Sequence, residues 1–187
     1  ARSGAHTQAA AFFQAAIDHG GSLSDDEEAE LLELVAEEYY LIDHLDEAIA
    51  ASGRAIALRE ASGDRAGVSF NHHALAVYQW YNADRGQAEG HAAQAMSVLD
   101  PDADDATQLV QLGHAFAMQA YLAVQATDLD TAKTLTARAR EIAEATGDSD
   151  LAIRVRLIEN YGVVLTGDDA GRDEIMAILN SGPKHID

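Results

Sequence analysis

Cysteine is absent from this chain of 187 residues. The chain therefore has no disulfide, no thiolate nucleophile and no cysteine ligand for a metal. The serine residues lie at predicted caps and turns, so a serine nucleophile activated by a histidine has no support either. We expect a protein that is not an enzyme and that carries no cofactor.

Proline is also scarce, because Pro101 and Pro183 are the only two. In contrast, 38 residues are alanine. Alanine is the strongest helix former and proline the strongest breaker, and runs rich in valine, isoleucine and threonine between turn signals are missing. The composition predicts an all-α fold in which small side chains let helices approach closely.

Basic residues are few, with 12 Lys and Arg against 32 Asp and Glu, so the formal net charge is −20. Such a chain repels phosphate backbones and anionic lipid surfaces, and we expect it to contact neither nucleic acid nor membrane. No apolar run approaches the roughly 20 residues that span a bilayer, and the first residues lack the apolar core of a signal peptide. Together with the missing cysteine, these features favour a cytoplasmic location.

Short polar turns interrupt the helical pattern four times, at intervals of 40 to 44 residues. A second kind of turn contains Gly63 and Gly147, which are 84 residues apart, or two periods of 42. A fixed period in this range is typical of a solenoid, in which each unit buries its apolar face by stacking on its neighbours. The four recurring turns begin at Asp43, Ala83, Thr127 and Gly167.

The periodicity predicts a single helical-repeat domain over 1–187, built from antiparallel helix pairs. Residues 1–20 form the second helix of a truncated repeat. Complete repeats follow at 24–62, 65–99 and 104–146, and a shortened one at 149–180. Because a solenoid that begins on an unpaired helix exposes the surface its partner would cover, we expect the parent polypeptide to extend further towards its N-terminus.

Alanines occur in the same register in three of these repeats. One alanine of the first helix lies 12 residues before an alanine of the second helix, and another follows 7 residues later. The spacing resembles the tetratricopeptide repeat (TPR), in a longer form of about 40 residues, where close helix packing requires small side chains. The resemblance implies a TPR-like α-solenoid, a right-handed superhelix of about four repeats of 40–44 residues. The nine positions are Ala36, Ala48 and Ala55; Ala76, Ala88 and Ala95; and Ala120, Ala132 and Ala139.

A narrower resemblance covers segments 39–50, 63–67 and 160–171, with the sequences YYLIDHLDEAIA, GDRAG and NYGVVLTGDDAG. They are similar to the repeat region of large actinobacterial LuxR-type transcriptional regulators, which carry an N-terminal signalling ATPase and a C-terminal helix-turn-helix. This chain contains neither the phosphate-binding loop nor a basic recognition helix. The resemblance implies that it is the sensor or interaction segment in the middle of such a regulator.

Two groups of residues suggest metal binding, but we expect neither group to bind a metal ion. The acidic run 100–105 has carboxylates at alternate positions, as in a calcium loop, but Asp105 stands where the sharp turn needs glycine and Gln111 where the closing glutamate belongs. We expect Asp104 or Asp105 to cap the next helix instead. His72, His73, His91 and His114 are potential zinc ligands, but adjacent histidines on a helix point about 100° apart.

In TPR proteins the first helix of each pair lines a concave groove, and the resemblance implies that this groove binds the ligand. It is expected to be acidic at its N-terminal end and aromatic at its centre. An acidic end complements a basic peptide or an amine-bearing effector. The candidate ligand-binding residues are Glu30, Glu33, Glu37, Tyr40, Phe70, His73, Val77, Trp80, Tyr81, His114, Tyr121, Arg156 and Glu159.

These observations favour a non-catalytic module that binds a protein, a peptide or a small effector on behalf of a larger regulator. The alternative is a stand-alone TPR scaffold or oligomerisation protein with the same fold. Solenoid ends without polar capping repeats self-associate, so a homodimer is a further expected assembly.

Overall fold

A computed structural model describes residues 2–21, 23–100 and 105–181 of the chain. Every regular element in these ranges is an α-helix, which confirms the all-α prediction. Contacts divide the chain into two compact units, residues 1–100 and 101–187. Unit 1 contains α1 (Arg2–His19), α2 (Asp25–Leu41), α3 (Leu45–Ser62), α4 (Arg65–Tyr81) and α5 (Arg85–Ser97). Unit 2 contains α6 (Ala106–Gln125), α7 (Leu129–Thr146), α8 (Ser149–Leu165) and α9 (Asp169–Ser181).

The predicted repeats at 24–62, 65–99, 104–146 and 149–180 begin and end within two residues of helix ends, because the cap signals are local. Ser24 forms a complete capping box with Glu27 at the start of α2,. Asp105 caps α6 by accepting a hydrogen bond from the Thr107 amide at 2.9 Å, whereas Asp104 lies outside the described residues. α1 (Arg2–His19) lies within the predicted segment 1–20.

The four recurring turns share one backbone conformation. The residue two positions after the preceding helix is left-handed in each, with φ of 65° at Asp43, 59° at Ala83, 59° at Thr127 and 84° at Gly167. The next residue is an aspartate in three of the turns, and its carboxylate accepts a hydrogen bond from the amide at the start of the following helix,. The other kind of turn places glycine at the left-handed position, at Gly63 and Gly147,.

The alanines in repeated register are buried in both units. None of the nine is more than 5% exposed. In unit 1, Ala36, Ala48 and Ala55 pack with larger apolar side chains into one core, which includes Leu32, Val35 and Tyr78. In unit 2, α8 packs against both α6 and α7, and a Cβ at Gly113 would overlap the side chains of Leu151 and Ile142. Small residues therefore allow the close helix contacts on which each unit depends.

Candidate functional site

Tyrosine rings meet where α2 and α4 end. The ring of Tyr40 lies 5.1 Å from that of Tyr78 in a tilted arrangement. It lies 5.5 Å from that of Tyr81, edge to face. Such contacts are the favoured geometries of aromatic pairs. Tyr78 is 5% exposed and Tyr81 is 62% exposed, so the cluster extends from the core of unit 1 to its surface.

Carboxylates accompany this cluster along α2. Glu30 and Glu37 are exposed. Burial raises the pKa of the Tyr78 hydroxyl, and the negative charge of Glu37 raises it further, so the hydroxyl remains neutral at physiological pH. We call Tyr40, Val77, Tyr81, Glu30 and Glu37 the aromatic–acidic surface. Its exposed groups are aromatic faces and negative charges, which bind apolar groups and cations.

Glu33, the third predicted acidic residue, is engaged inside unit 1. Arg59 of α3 donates from Nε and Nη2 to its two carboxylate oxygens, both at 3.0 Å. Asn71 of α4 donates from Nδ2 to the same carboxylate at 2.7 Å. The bond to Glu33 is the main cause of the raised pKa of Arg59. Glu33 thus connects three helices, and its charge is already compensated by an arginine.

The remaining candidates of unit 1 lie on α4 at helical spacing. Phe70 is 43% exposed, whereas His73, Val77 and Trp80 are half-buried. Residues 70, 73, 77 and 81 follow the spacing of one helix face. This face of α4 therefore has an exposed aromatic residue at each end, Phe70 and Tyr81.

In unit 2, the candidates fall into two groups. His114 and Tyr121 are half-buried on α6, and burial lowers the pKa of His114. Gln125 donates to the Tyr121 hydroxyl at 2.6 Å, and the Tyr161 hydroxyl donates to Gln125 at 3.4 Å. Tyr161 was not among the predicted residues, although it lies 84 residues, two periods, after Val77. The repeat spacing is thus the signal that would have found it.

Arg156 and Glu159 of α8 are both engaged with other helices. Arg156 forms an ion pair with Glu174 of α9. Glu159 forms one with Arg140 of α7. The two predicted residues are therefore paired with neighbouring helices and not with each other.

The structure brings together two of the four histidines that the sequence singled out. The Nδ1 atoms of His72 and His91 lie 3.1 Å apart, and the rings stack at 5.3 Å. Burial lowers the pKa of His72 to about 4, with a smaller contribution from His91. Burial also lowers the pKa of His91. Among the described residues, no group of three or more His, Asp or Glu side chains has the arrangement of a metal site. Most of the acidic run at 100–105 lies outside those residues.

Comparison of the chain with protein-family models, curated proteins and solved structures finds no match. None of the helices in the described part of the chain has the length and apolar character needed to cross a membrane.

Proposed function

We propose that the chain is a non-catalytic, TPR-like binding module that recognises a basic peptide segment of a protein partner through the aromatic–acidic surface. The TPR-like assignment is supported by the nine buried alanines in repeated register and by the left-handed residue common to four turns. The right-handed superhelix remains a prediction.

One observation carries the choice of ligand: the exposed ring of Tyr81 contacts Tyr40 of α2, the helix that also bears the exposed Glu30 and Glu37. A lysine or arginine side chain placed there contacts an aromatic face and lies near carboxylates. Both interactions favour a cation. The net charge of −20 also attracts basic partners over long range,.

An amine-bearing small effector presents the same chemistry to this surface. A peptide is favoured because Phe70 and Tyr81 lie 11 residues apart on α4, about 16 Å along a helix axis. That length suits an extended segment of several residues. The exposed aromatic rings then serve as sites for apolar anchor side chains.

The experiment measures the binding of two short fluorescent peptides by anisotropy. One contains leucine, lysine and arginine, and in the other glutamate replaces every basic residue. We expect only the basic peptide to bind at about 50 mM NaCl, and its affinity to fall at about 300 mM because the attraction is screened. Tyr81→Ala is expected to weaken binding about tenfold, and Glu37→Gln to reduce it less.

Phe12→Ala is the matched control, because Phe12 is an aromatic residue of α1 that is 77% exposed. Its affinity should equal that of the unmodified protein. Equal weak binding of the two peptides, or equal effects of the Tyr81 and Phe12 substitutions, would refute the proposed surface.

We further propose that this module is the sensor or interaction segment of a LuxR-type regulator in the cytoplasm. Support comes from the three sequence segments that resemble that family. Sequencing the reading frame around the chain tests this context. A phosphate-binding loop upstream and a helix-turn-helix downstream support it, whereas an open reading frame restricted to the repeats favours a stand-alone scaffold.

A further inference from the structure

A pocket of about 480 Å³ lies within unit 2, between α7 and α8 and against the end of α6. Its walls are largely apolar and include Val124, Leu129 and Ile158. This volume falls within the range of about 300–1,000 Å³ found for small-molecule sites. The pocket shares no residue with the aromatic–acidic surface of unit 1, so its role goes beyond the proposed function.

The internal repeat shows why the pocket is there. The offset of 84 residues relates Ala36, Ala48 and Ala55 to Ala120, Ala132 and Ala139. It also relates α4 to α8, which both have 17 residues. With the same offset, Tyr40 corresponds to Val124 and Tyr78 to Gly162.

The corresponding positions face each other in both units. In unit 1 the rings of Tyr40 and Tyr78 are in contact at 5.1 Å. In unit 2 a Cβ built on Gly162 would lie 3.9 Å from Cγ2 of Val124, which is ordinary van der Waals contact. Two aromatic rings in unit 1 are thus replaced by an isopropyl group and a hydrogen atom in unit 2. Val124 and Gly162 both line the pocket, and we attribute the pocket to the loss of these two rings.

The rim of the pocket also differs from unit 1 in charge. Lys133, Arg140 and Glu159 line the pocket, and their counterparts are the apolar residues Ile49, Ile56 and Leu75. Arg140 and Glu159 form an ion pair with each other. Lys133 is the only lysine in the described residues, and it forms no ion pair with another described residue. The rim therefore offers one uncompensated positive charge, in a chain whose net charge is −20.

We propose that this pocket binds a small aromatic carboxylate. The ring of the ligand enters the space beside Gly162 and Val124, where unit 1 holds the ring of Tyr78. The carboxylate lies at the rim and forms an ion pair with Lys133. A flat ring fits because the equivalent helices of unit 1 accommodate one, and an anion fits because the unpaired charge at the rim is positive,.

The experiment uses the whole chain and three probes with one ring and different end groups: 3-phenylpropionate, 3-phenylpropan-1-ol and 3-phenylpropylamine. Binding is measured by ligand-observed NMR and by titration calorimetry. We expect the acid to bind saturably with a Kd of about 1 mM or tighter, as is reasonable for so few atoms. The alcohol should bind more weakly and the amine not at all.

Two variants at Gly162, which lines the pocket, test the location. Gly162→Tyr restores the residue of unit 1 and is expected to fill the pocket, to abolish binding of the acid and to leave the thermal midpoint unchanged or higher. Gly162→Leu fills less space and provides a second test if the tyrosine variant fails to fold. Persistent binding in a folded Gly162 variant would overturn the proposal.

Variants at the rim test the charge. Lys133→Met keeps the length of the side chain and removes its charge. It should therefore weaken binding of the acid about tenfold and leave binding of the alcohol unchanged. Lys133→Arg should retain most of the affinity for the acid. Equal binding of the acid and the amine, or no saturable binding of the acid at concentrations of about 10 mM, would also overturn the proposal.

Discussion

His44 occupies the capping position of the first recurring turn, where the other three turns have aspartate. Asp84 and Asp128 each accept a hydrogen bond from a helix amide at 3.1 Å. The side chain of His44 makes no such bond at the start of α3. One amide at this helix end thus lacks the partner that its counterparts have.

We predict that His44→Asn stabilises the protein by about 0.5–1 kcal/mol, because an asparagine oxygen caps the first turn of α3. Asparagine is preferable to aspartate since Asp43, Asp46 and Glu47 already place negative charge there. Urea denaturation measures the gain. Asp128→Ala is the matched control and should lose about 1 kcal/mol, whereas a loss on His44→Asn would contradict the capping argument.

Caps and turns were readable from the sequence because they depend on residues three or four positions apart. The cap at Asp105 and the glycines at 63 and 147 are examples. The left-handed conformation of Thr127 could not be predicted from the sequence. A β-branched residue disfavours that region, and its position becomes understandable only from the equivalent turns.

Arg59 is the residue through which three helices of unit 1 are held together. Its guanidinium extends from α3 to Glu33 of α2, which also binds Asn71 of α4. Both charged side chains are largely buried, at 12% and 16% exposure. A largely buried carboxylate that loses its partner destabilises the folded state, since water cannot fully replace the arginine.

We predict that Arg59→Met destabilises the protein by about 2–4 kcal/mol, because it leaves Glu33 buried without a counter-charge. Arg54→Met is the control, since Arg54 also connects α3 to α2 through Glu28, at 2.7 Å, but is 54% exposed. It should cost less than about 1 kcal/mol. Both free energies of unfolding come from urea denaturation, and similar values would contradict the assigned role.

The stacked histidines connect α4 to α5 and make the stability of this pair depend on pH. The pKa of His72 is about 4 in the folded protein, against 6.5 for an ordinary histidine. Between these values the unfolded chain binds a proton that the folded protein does not. The free energy of unfolding therefore falls as the pH decreases from about 7 to 4.

We predict that lowering the pH from 7.5 to 5 removes about 1–2 kcal/mol through His72, a figure reduced for partial access of water. His72→Gln should lack this part of the pH dependence. His19→Gln, at an exposed residue of α1, is the control. Urea denaturation of the unmodified protein and both variants at the two pH values gives the free energies of unfolding. If all three proteins lose the same free energy between pH 7.5 and 5, His72 does not cause the pH dependence.

At the scale of the whole molecule, the dominant property is the excess of negative charge. With 32 acidic and 12 basic residues, repulsion among carboxylates opposes compaction,. The ion pairs at the surface, such as Arg85–Glu89 and Arg138–Glu141, contribute little individually. Salt screens both the repulsion among carboxylates and the attraction within ion pairs. Because the repulsion is larger, we expect added salt to stabilise the folded protein.

We predict that raising NaCl from about 50 mM to about 500 mM at pH 7.5 increases the thermal midpoint by about 2–4 °C, equivalent to about 1 kcal/mol. At pH 5, near the sequence pI of about 4.5, the same change should have little effect. Differential scanning calorimetry measures both. A midpoint that falls with salt at pH 7.5 would mean that the surface ion pairs outweigh the repulsion.

Local chemistry was sufficient to predict the helices, their caps and the recurring turns, because these depend on neighbours within one or two helical turns. The period of the alanines likewise predicted which side chains are buried. Packing alone decided that Glu33 is paired with Arg59, that His72 meets His91, and that Tyr78 has a ring partner while Gly162 leaves a pocket. Those outcomes join residues 19 to 38 positions apart, and helical periodicity contains no information on which side chains meet across two helices.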